Sequence, residues 1–175
     1  MKCVRCLLAA AALTLLCGCT AQTAWETVED VLPDSVAVWT EKVYQIAFDV
    51  PEDAAASVFS EDGAETVYEQ TDGNYEITAQ VMLSSDTEGA IRRLSGFEPE
   101  QLEVLRTRRC GLPEAQLAWY STGEEGGRLC RAAILRDGSC CYTLTFSVRE
   151  ELWPQYAELA QHVFESFSLN ADADF

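Results

Sequence analysis

The chain has 175 residues, 48% of them hydrophobic and 23% charged, with a formal net charge of −17 from 29 acidic and 12 basic side chains. The apolar content excludes a disordered chain, and the acidic excess excludes a nucleic-acid-binding surface. One domain-sized fold with an ordinary core is what remains.

The N-terminus, MKCVRCLLAAAALTLLCGC, places Lys2 and Arg5 ahead of an apolar run from Leu7 to Leu16 that only Thr14 interrupts. This is the pattern of a signal peptide over residues 1–18. As a helix the run spans about 15 Å, against about 30 Å of bilayer hydrocarbon, so it is too short to remain as a membrane span. Leu16, Cys17, Gly18 and Cys19 resemble a bacterial lipobox, with a branched apolar residue three before the cysteine and a small one just before it. Cys19 is therefore the expected lipidation site. Cys17 competes less well, because Leu16 is too large for the small-residue position. Two acyl chains, at about 0.8 kcal/mol per buried methylene, would anchor the chain firmly to a membrane. Ordinary secretion, with Cys19 left as a plain thiol, is the alternative.

Removing eighteen residues leaves 157 and deepens the net charge to −19, from 10 basic and 29 acidic groups. From Cys19 to Glu100 there are 18 acidic and 3 basic residues, and from Gln101 to Phe175 there are 11 and 7. The acidic half would be repelled by anionic lipid within a Debye length of about 8 Å. The lipid would thus hold a domain that the membrane surface does not attract.

Residues 19–40 have the character of an acidic tether, with a short helix around Trp25 to Val31 before Pro33. A domain over 41–170 and a tail over 171–175 follow. Tyr44, Ile46, Phe48 and Val50 share one face of an opening strand, which Pro51 ends. Ala55 to Ser60 is a weak segment. Glu65 to Thr71 and Tyr75 to Leu83 form a hairpin about Asp72, Gly73 and Asn74, with Ile77, Ala79, Val81 and Leu83 expected inward. Asp86 caps a helix over Thr87 to Leu94, buried through Ala90, Ile91 and Leu94, and Gly96 stops it. Leu102 to Arg109 is a further strand. Ala115 to Thr122, Leu129 to Arg136 and Cys140 to Val148 form a meander, turned by Gly123, Gly126 and Gly127 and then by Asp137 and Gly138. Pro154 opens a last helix whose stripe is Tyr156, Ala157, Ala160, Val163, Phe164 and Phe167. The fold class expected is α+β, an antiparallel sheet flanked by helices.

The stretches YQIAFDVPED, CGLPEAQLAWYS, LCRAAILRDGSCCYTLTFSV and ELWPQYAELAQHVFESFSL resemble PsbP-like domains. That family opens on a strand and a Pro, places Gly and Pro before a later strand, and closes its last helix on a Ser-Phe pair, here Ser166 and Phe167. The resemblance covers most of Val43 to Leu169. It implies an α/β/α sandwich and a non-catalytic binding or assembly role, and it implies no site residue.

The residues themselves offer few chemical constellations. His162, the one imidazole, sits beside the apolar stripe of the last helix rather than in it. No G-x-S-x-G elbow or papain-type cysteine motif occurs, so no nucleophile is evident. The carboxylate pairs Glu52–Asp53, Glu61–Asp62 and Glu124–Glu125 lack a calcium-loop spacing, and Asp172 and Asp174 suit a solvated tail. No cofactor is expected. Arg106, Arg108 and Arg109, with Arg128 and Arg131 later, are the basic concentration of the mature chain. Arg106 and Arg108 share a strand face and are the candidate anion-binding pair, though carboxylates of the same chain are simpler partners.

Beyond the signal and Cys19, four thiols remain: Cys110, Cys130, Cys140 and Cys141. If Asp137 and Gly138 belong to a three-residue bulged hairpin, Ile134 faces Cys140 and Ala132 faces Tyr142. Cys130, Ala132, Ile134, Cys140, Tyr142, Leu144 and Phe146 then share one face and Cys141 points the other way. Cys110 is the expected partner of Cys140 or Cys141 if a bridge forms; four free thiols, with Cys130 a small buried apolar group, are the other reading.

The expectation for function is a lipid-anchored extracytoplasmic binding or assembly module, partnered by the membrane through its anchor and by an envelope protein. Trp119 and Tyr120 lie on opposite faces of their strand, so one of them can reach an exposed patch. An envelope hydrolase and a small solute-binding lipoprotein are the alternatives.

Overall fold

Period-two alternation over most of the chain builds an antiparallel sheet with a helix on each face. The computed structural model describes residues 44–60, 64–84, 86–123, 126–138 and 140–170. Glu41–Phe175 forms one compact unit; the expected signal, Cys19, the expected tether and the expected tail over 171–175 lie outside the described residues. The strands are β1 (Gln45–Ala47), β2 (Ala54–Phe59), β3 (Glu65–Gln70), β4 (Tyr75–Leu83), β5 (Val104–Arg109), β6 (Leu112–Gly123), β7 (Gly126–Asp137), β8 (Cys140–Arg149) and β9 (Ser168–Asn170). Helix α1 is Thr87–Ser95 and helix α2 is Trp153–Ser166. Seven strands pair in the order β2-β3-β4-β8-β7-β6-β5, and β1 pairs with β9 in a separate two-stranded sheet.

The central strand, β8, is buried on both faces along nearly its whole length. One face carries Tyr75, Ile77, Ala133, Leu135, Tyr142, Leu144, Phe146 and Val148 against Ala160, Val163, Phe164 and Phe167 of the α2 segment. Tyr75 and Phe146 stack at 5.1 Å between centroids. The other face is smaller in its side chains: Met82, Ala115, Leu117, Trp119, Cys130, Ala132, Ile134 and Cys141 pack on Ala90 and Ile91 of α1. The two helices thus cover opposite faces, the α/β/α arrangement expected.

Local signals at α1 work as anticipated. The Asp86 side chain accepts from the Gly89 N–H, and Gly96 ends the helix in the left-handed conformation at φ 76°, where a side chain would be strained. α2 takes Pro154 in its first turn.

Three expectations are corrected. The opening segment pairs only over Gln45–Ala47, and with β9 rather than with the main sheet; Tyr44, Ile46 and Phe48 still pack on the α2-side core, while Val50 is exposed. At the end of β4 it is Met82 that is buried, opposite Cys141, whereas Leu83 is 74% exposed. The α1-side core reaches this end of the strand, so the inward position shifts by one.

The third correction concerns the β7–β8 hairpin. Asp137 pairs with Cys140, leaving two residues in the turn, and Gly138 takes φ 56°, the positive-φ geometry of a tight hairpin. Leu135 therefore faces Tyr142, and Ile134 faces Thr143. Cys140, Tyr142, Leu144 and Phe146 join Ala133 and Leu135 on the α2 side. Cys130, Ala132 and Ile134 lie instead with Cys141 on the α1 side. A register shift by an odd number of residues exchanges the faces of a strand, and the turn length sets that register.

Among the described residues the four cysteines are free thiols, Cys110 exposed and Cys130, Cys140 and Cys141 buried. Cys110 and Gly111 form the two-residue β5–β6 turn, both at positive φ. Because β7 lies between β6 and β8, two strand spacings of about 4.8 Å separate the β6 backbone from that of Cys140 and Cys141. A disulfide requires Cα atoms within about 7 Å.

Candidate binding groove

α2 covers the middle of its sheet face but not the β6–β5 end. On that face, Leu129, Arg131, Ala133 and Leu135 of β7 lie opposite Tyr120, Ala118, Gln116 and Glu114 of β6; Leu105 and Thr107 of β5 continue the row beside Gln116 and Glu114. Tyr120 is 56% exposed and Leu105 62%. A groove of about 320 Å³ runs between this row and α2, lined by Glu103, Leu105, Gln116, Ala118, Arg131 and Phe164. Trp119, pointing the other way, is buried in the α1-side core, so Tyr120 is the member of that pair that reaches the open patch.

Arg131 stands at the boundary between core and groove. Its guanidinium carbon lies 5.5 Å from the Trp153 ring centroid and 5.2 Å from that of Phe164, cation–π contacts that hold it against α2. Burial lowers its pKa from the usual arginine value, yet an arginine stays charged near neutral pH. Among the described residues no carboxylate lies within 4.0 Å of it, although four other ion pairs form. The two rings are thus its charge-stabilising contacts among the described residues.

The neighbouring Arg109 has a different task. It binds Glu114 at 2.9 Å, with Glu114 3% exposed, and donates to the carbonyls of Phe164, Glu165 and Phe167. Those carbonyls lie at and just beyond the C-terminal end of α2, where a cation is favoured. Arg109 thus fastens the helix to the sheet edge at one end of the groove.

Arg106 and Arg108 lie on the opposite face, since Arg106 pairs with Ala115 of the α1-side core. Arg106 meets Glu88 at 3.6 Å with both side chains more than half exposed, and Arg108 donates to the Gly111 carbonyl. The fold brings neither to the groove. Arg128 binds the Ser147 hydroxyl at 2.8 Å and its carbonyl at 3.1 Å. His162 meets Asp49 at 3.3 Å, both well exposed.

A second polar cluster joins the β3–β4 hairpin to α2. Asp53 accepts from the Tyr75 hydroxyl and from Gln70 at 3.0 Å, while Asn74 donates to the Tyr156 hydroxyl at 3.3 Å. The Tyr75 hydrogen bond holds the Asp53 carboxyl below its usual range, and burial, with Asp53 beside it, pushes the Tyr75 phenol up. Burial likewise pushes the Cys130 and Cys141 thiols up, away from the thiolate that nucleophilic chemistry needs. Among the described residues, no group of three or more His, Cys, Asp or Glu side chains is placed to hold a metal ion.

The groove is not legible in the sequence because its key residue sits on β7, which a three-residue turn at Asp137 would face the other way relative to β8. In the correct register Arg131 interrupts an otherwise apolar α2-facing row of Leu129, Ala133 and Leu135. A charge in such a row is the signal.

No family model matches the chain, and no curated protein does. Among solved structures, it is similar to the solution structure of cyanobacterial PsbP (CyanoP) from Synechocystis sp. PCC 6803. That match has 13% identity and a TM-score of 0.53, and covers 79% of this chain and 99% of that one. A crystal structure from Bacteroides thetaiotaomicron VPI-5482 is similar at 11% identity and a TM-score of 0.51, covering 74% of this chain and 46% of that one. At such identities the likeness is one of fold: the chain has the PsbP-like architecture.

Proposed function

We propose that this protein is a lipid-anchored, extracytoplasmic binding module that takes its ligand on the uncovered β6–β5 end of the sheet and performs no catalysis itself. The observation that carries the binding reading is the groove: a concavity on the sheet face, lined by exposed Leu105 and by Arg131, with exposed Tyr120 farther along the same strand face. Small-molecule sites are typically concave, mostly apolar and oriented by few polar groups. The lipobox ending at Cys19 supports the anchor, and the PsbP-like fold is compatible with a binding or assembly role toward an envelope partner. The pairing of Arg109 with Glu114 and α2 keeps the groove preformed.

Two measurements test the reading. A small-molecule screen by amide chemical shifts should concentrate perturbations on Leu105, Ala118, Tyr120 and Arg131; shifts scattered over the α1 face instead would defeat the assignment of the site. Replacing Cys19 with Ser should release the protein from the membrane fraction, and undiminished retention would refute the anchor.

A further inference from the structure

The chemistry of the groove narrows its ligand. Two features set the head group. The guanidinium of Arg131 is pinned by two aromatic rings and has no carboxylate partner within 4.0 Å among the described residues, in a chain where carboxylates outnumber cations 29 to 12. Glu103 also lines the groove, so a dianion would meet a negative side chain while only one positive group faces it. A monoanion matches; a guanidinium fork takes a carboxylate through two parallel hydrogen bonds.

Two more features set the body. Leu105, Ala118 and Phe164 supply apolar wall along the groove, and Tyr120 stands exposed on the same strand face. At about 320 Å³ the space lies at the small end of the range of about 300–1,000 Å³ for ligand sites. That suits one short chain rather than a diacyl lipid.

Resting on the binding-module reading above, we propose that the groove is a seat for a medium-chain alkyl carboxylate, its head on Arg131 and its tail along Leu105, Ala118 and Phe164. Ring contacts hold the guanidinium before the ligand arrives, so little side-chain entropy is lost on binding.

The probe is sodium octanoate, titrated below its micelle concentration into the purified full chain carrying Cys19→Ser and followed by amide chemical shifts. Octanol and octyltrimethylammonium share the tail and lack the negative head. Octanoate should shift the groove residues saturably, with octanol at least tenfold weaker and the ammonium weaker still. Arg131→Gln should weaken octanoate at least tenfold while leaving octanol unchanged, and Arg131→Lys should fall between. Since Arg131 also packs on α2, Ala118→Phe provides a variant at an exposed position, filling the groove while keeping the charge in place, and should abolish binding of octanoate and octanol alike. Equal affinity for octanoate and octanol, or an unaffected Arg131→Gln, would overturn the anionic head while leaving the groove as the site. Binding that survives Ala118→Phe, or shifts away from the groove, would overturn the site itself. A Cys19→Ser chain with an unaltered groove that ignores octanoate but shifts at the groove with neutral fragments would overturn the ligand class alone.

Discussion

Two ends of one sheet face differ in what covers them. Over β4, β8 and β7, the α2 segment closes on Tyr75, Leu144 and Phe146, and the side chains there are almost entirely excluded from water. Over β6 and β5 the same face carries Gln116, Ala118, Tyr120 and Leu105, the last three exposed. The difference teaches that α2 is a partial lid whose lateral limit is set by Arg131 and Arg109. The covered end holds the fold together, and the open end offers surface with little stability at stake.

Substitutions can break or sharpen that contrast. Phe146→Ala, which removes a fully buried ring stacked on Tyr75, should cost about 3–5 kcal/mol in denaturant unfolding; a loss near 1 would mean that the covered end is not the stabilising core. Arg109→Ala should follow at about 3 kcal/mol, because Glu114 would be left buried without its ion partner and the end of α2 would lose its donors. Arg106→Ala makes the comparison sharp: its exposed contact with Glu88 predicts less than about 0.5 kcal/mol.

Gly96→Ala should lose about 1 kcal/mol, from strain at positive φ, without disturbing the groove shifts. Leu105→Ser and Tyr120→Ser should each stay within about 0.5 kcal/mol of the parent by thermal unfolding. A larger loss at either would show that the open end is part of the core after all.

The pH dependence is a smaller test at the covered end. Asp53 titrates below its ordinary value because Tyr75 donates to its charged form. Its contribution is therefore present above the unfolded carboxylate pKa of about 3.9 and is lost as pH falls through the lower folded value. The stability difference between the parent and Asp53→Asn should shrink as pH is taken from about 6 to below that value; a difference that grows on acidification would contradict the hydrogen bond. Thiol labelling of the native chain should modify Cys110 well before Cys130, Cys140 and Cys141, since only the first is exposed.

Much of the fold was legible locally. The hairpin at Gly73, the Asp86 and Gly96 caps, Pro154 at the head of α2 and the alternation of the meander each act over a few residues. Opposite facing of Trp119 and Tyr120 follows from the strand period alone. The inversion of β7 has an equally local origin: whether Asp137 belongs to a three-residue turn or pairs with Cys140 across a two-residue one decides the facing of eight or more side chains, and the composition of the turn permits either. Pairing of β1 with β9 joins positions more than a hundred residues apart, and no periodicity near Gln45 announces it.

The candidate site divides in the same way. Arg106 and Arg108 stood out by clustering on one strand, yet each has a partner on the α1 face or in its own turn. Arg131, grouped in the sequence with Arg128, becomes the distinctive charge only when α2 is laid beside it.

By itself the sequence determined the acidic excess concentrated before Gln101 and the α+β sequence of elements, because these depend on composition and on contacts within a turn or two. Tertiary structure alone decided the strand order that keeps β7 between β6 and β8, the limit of α2 across the sheet and hence the groove. Those outcomes depend on burial shared among distant segments, where the neighbour of a side chain is chosen by packing of the whole domain and not by its neighbours in the chain.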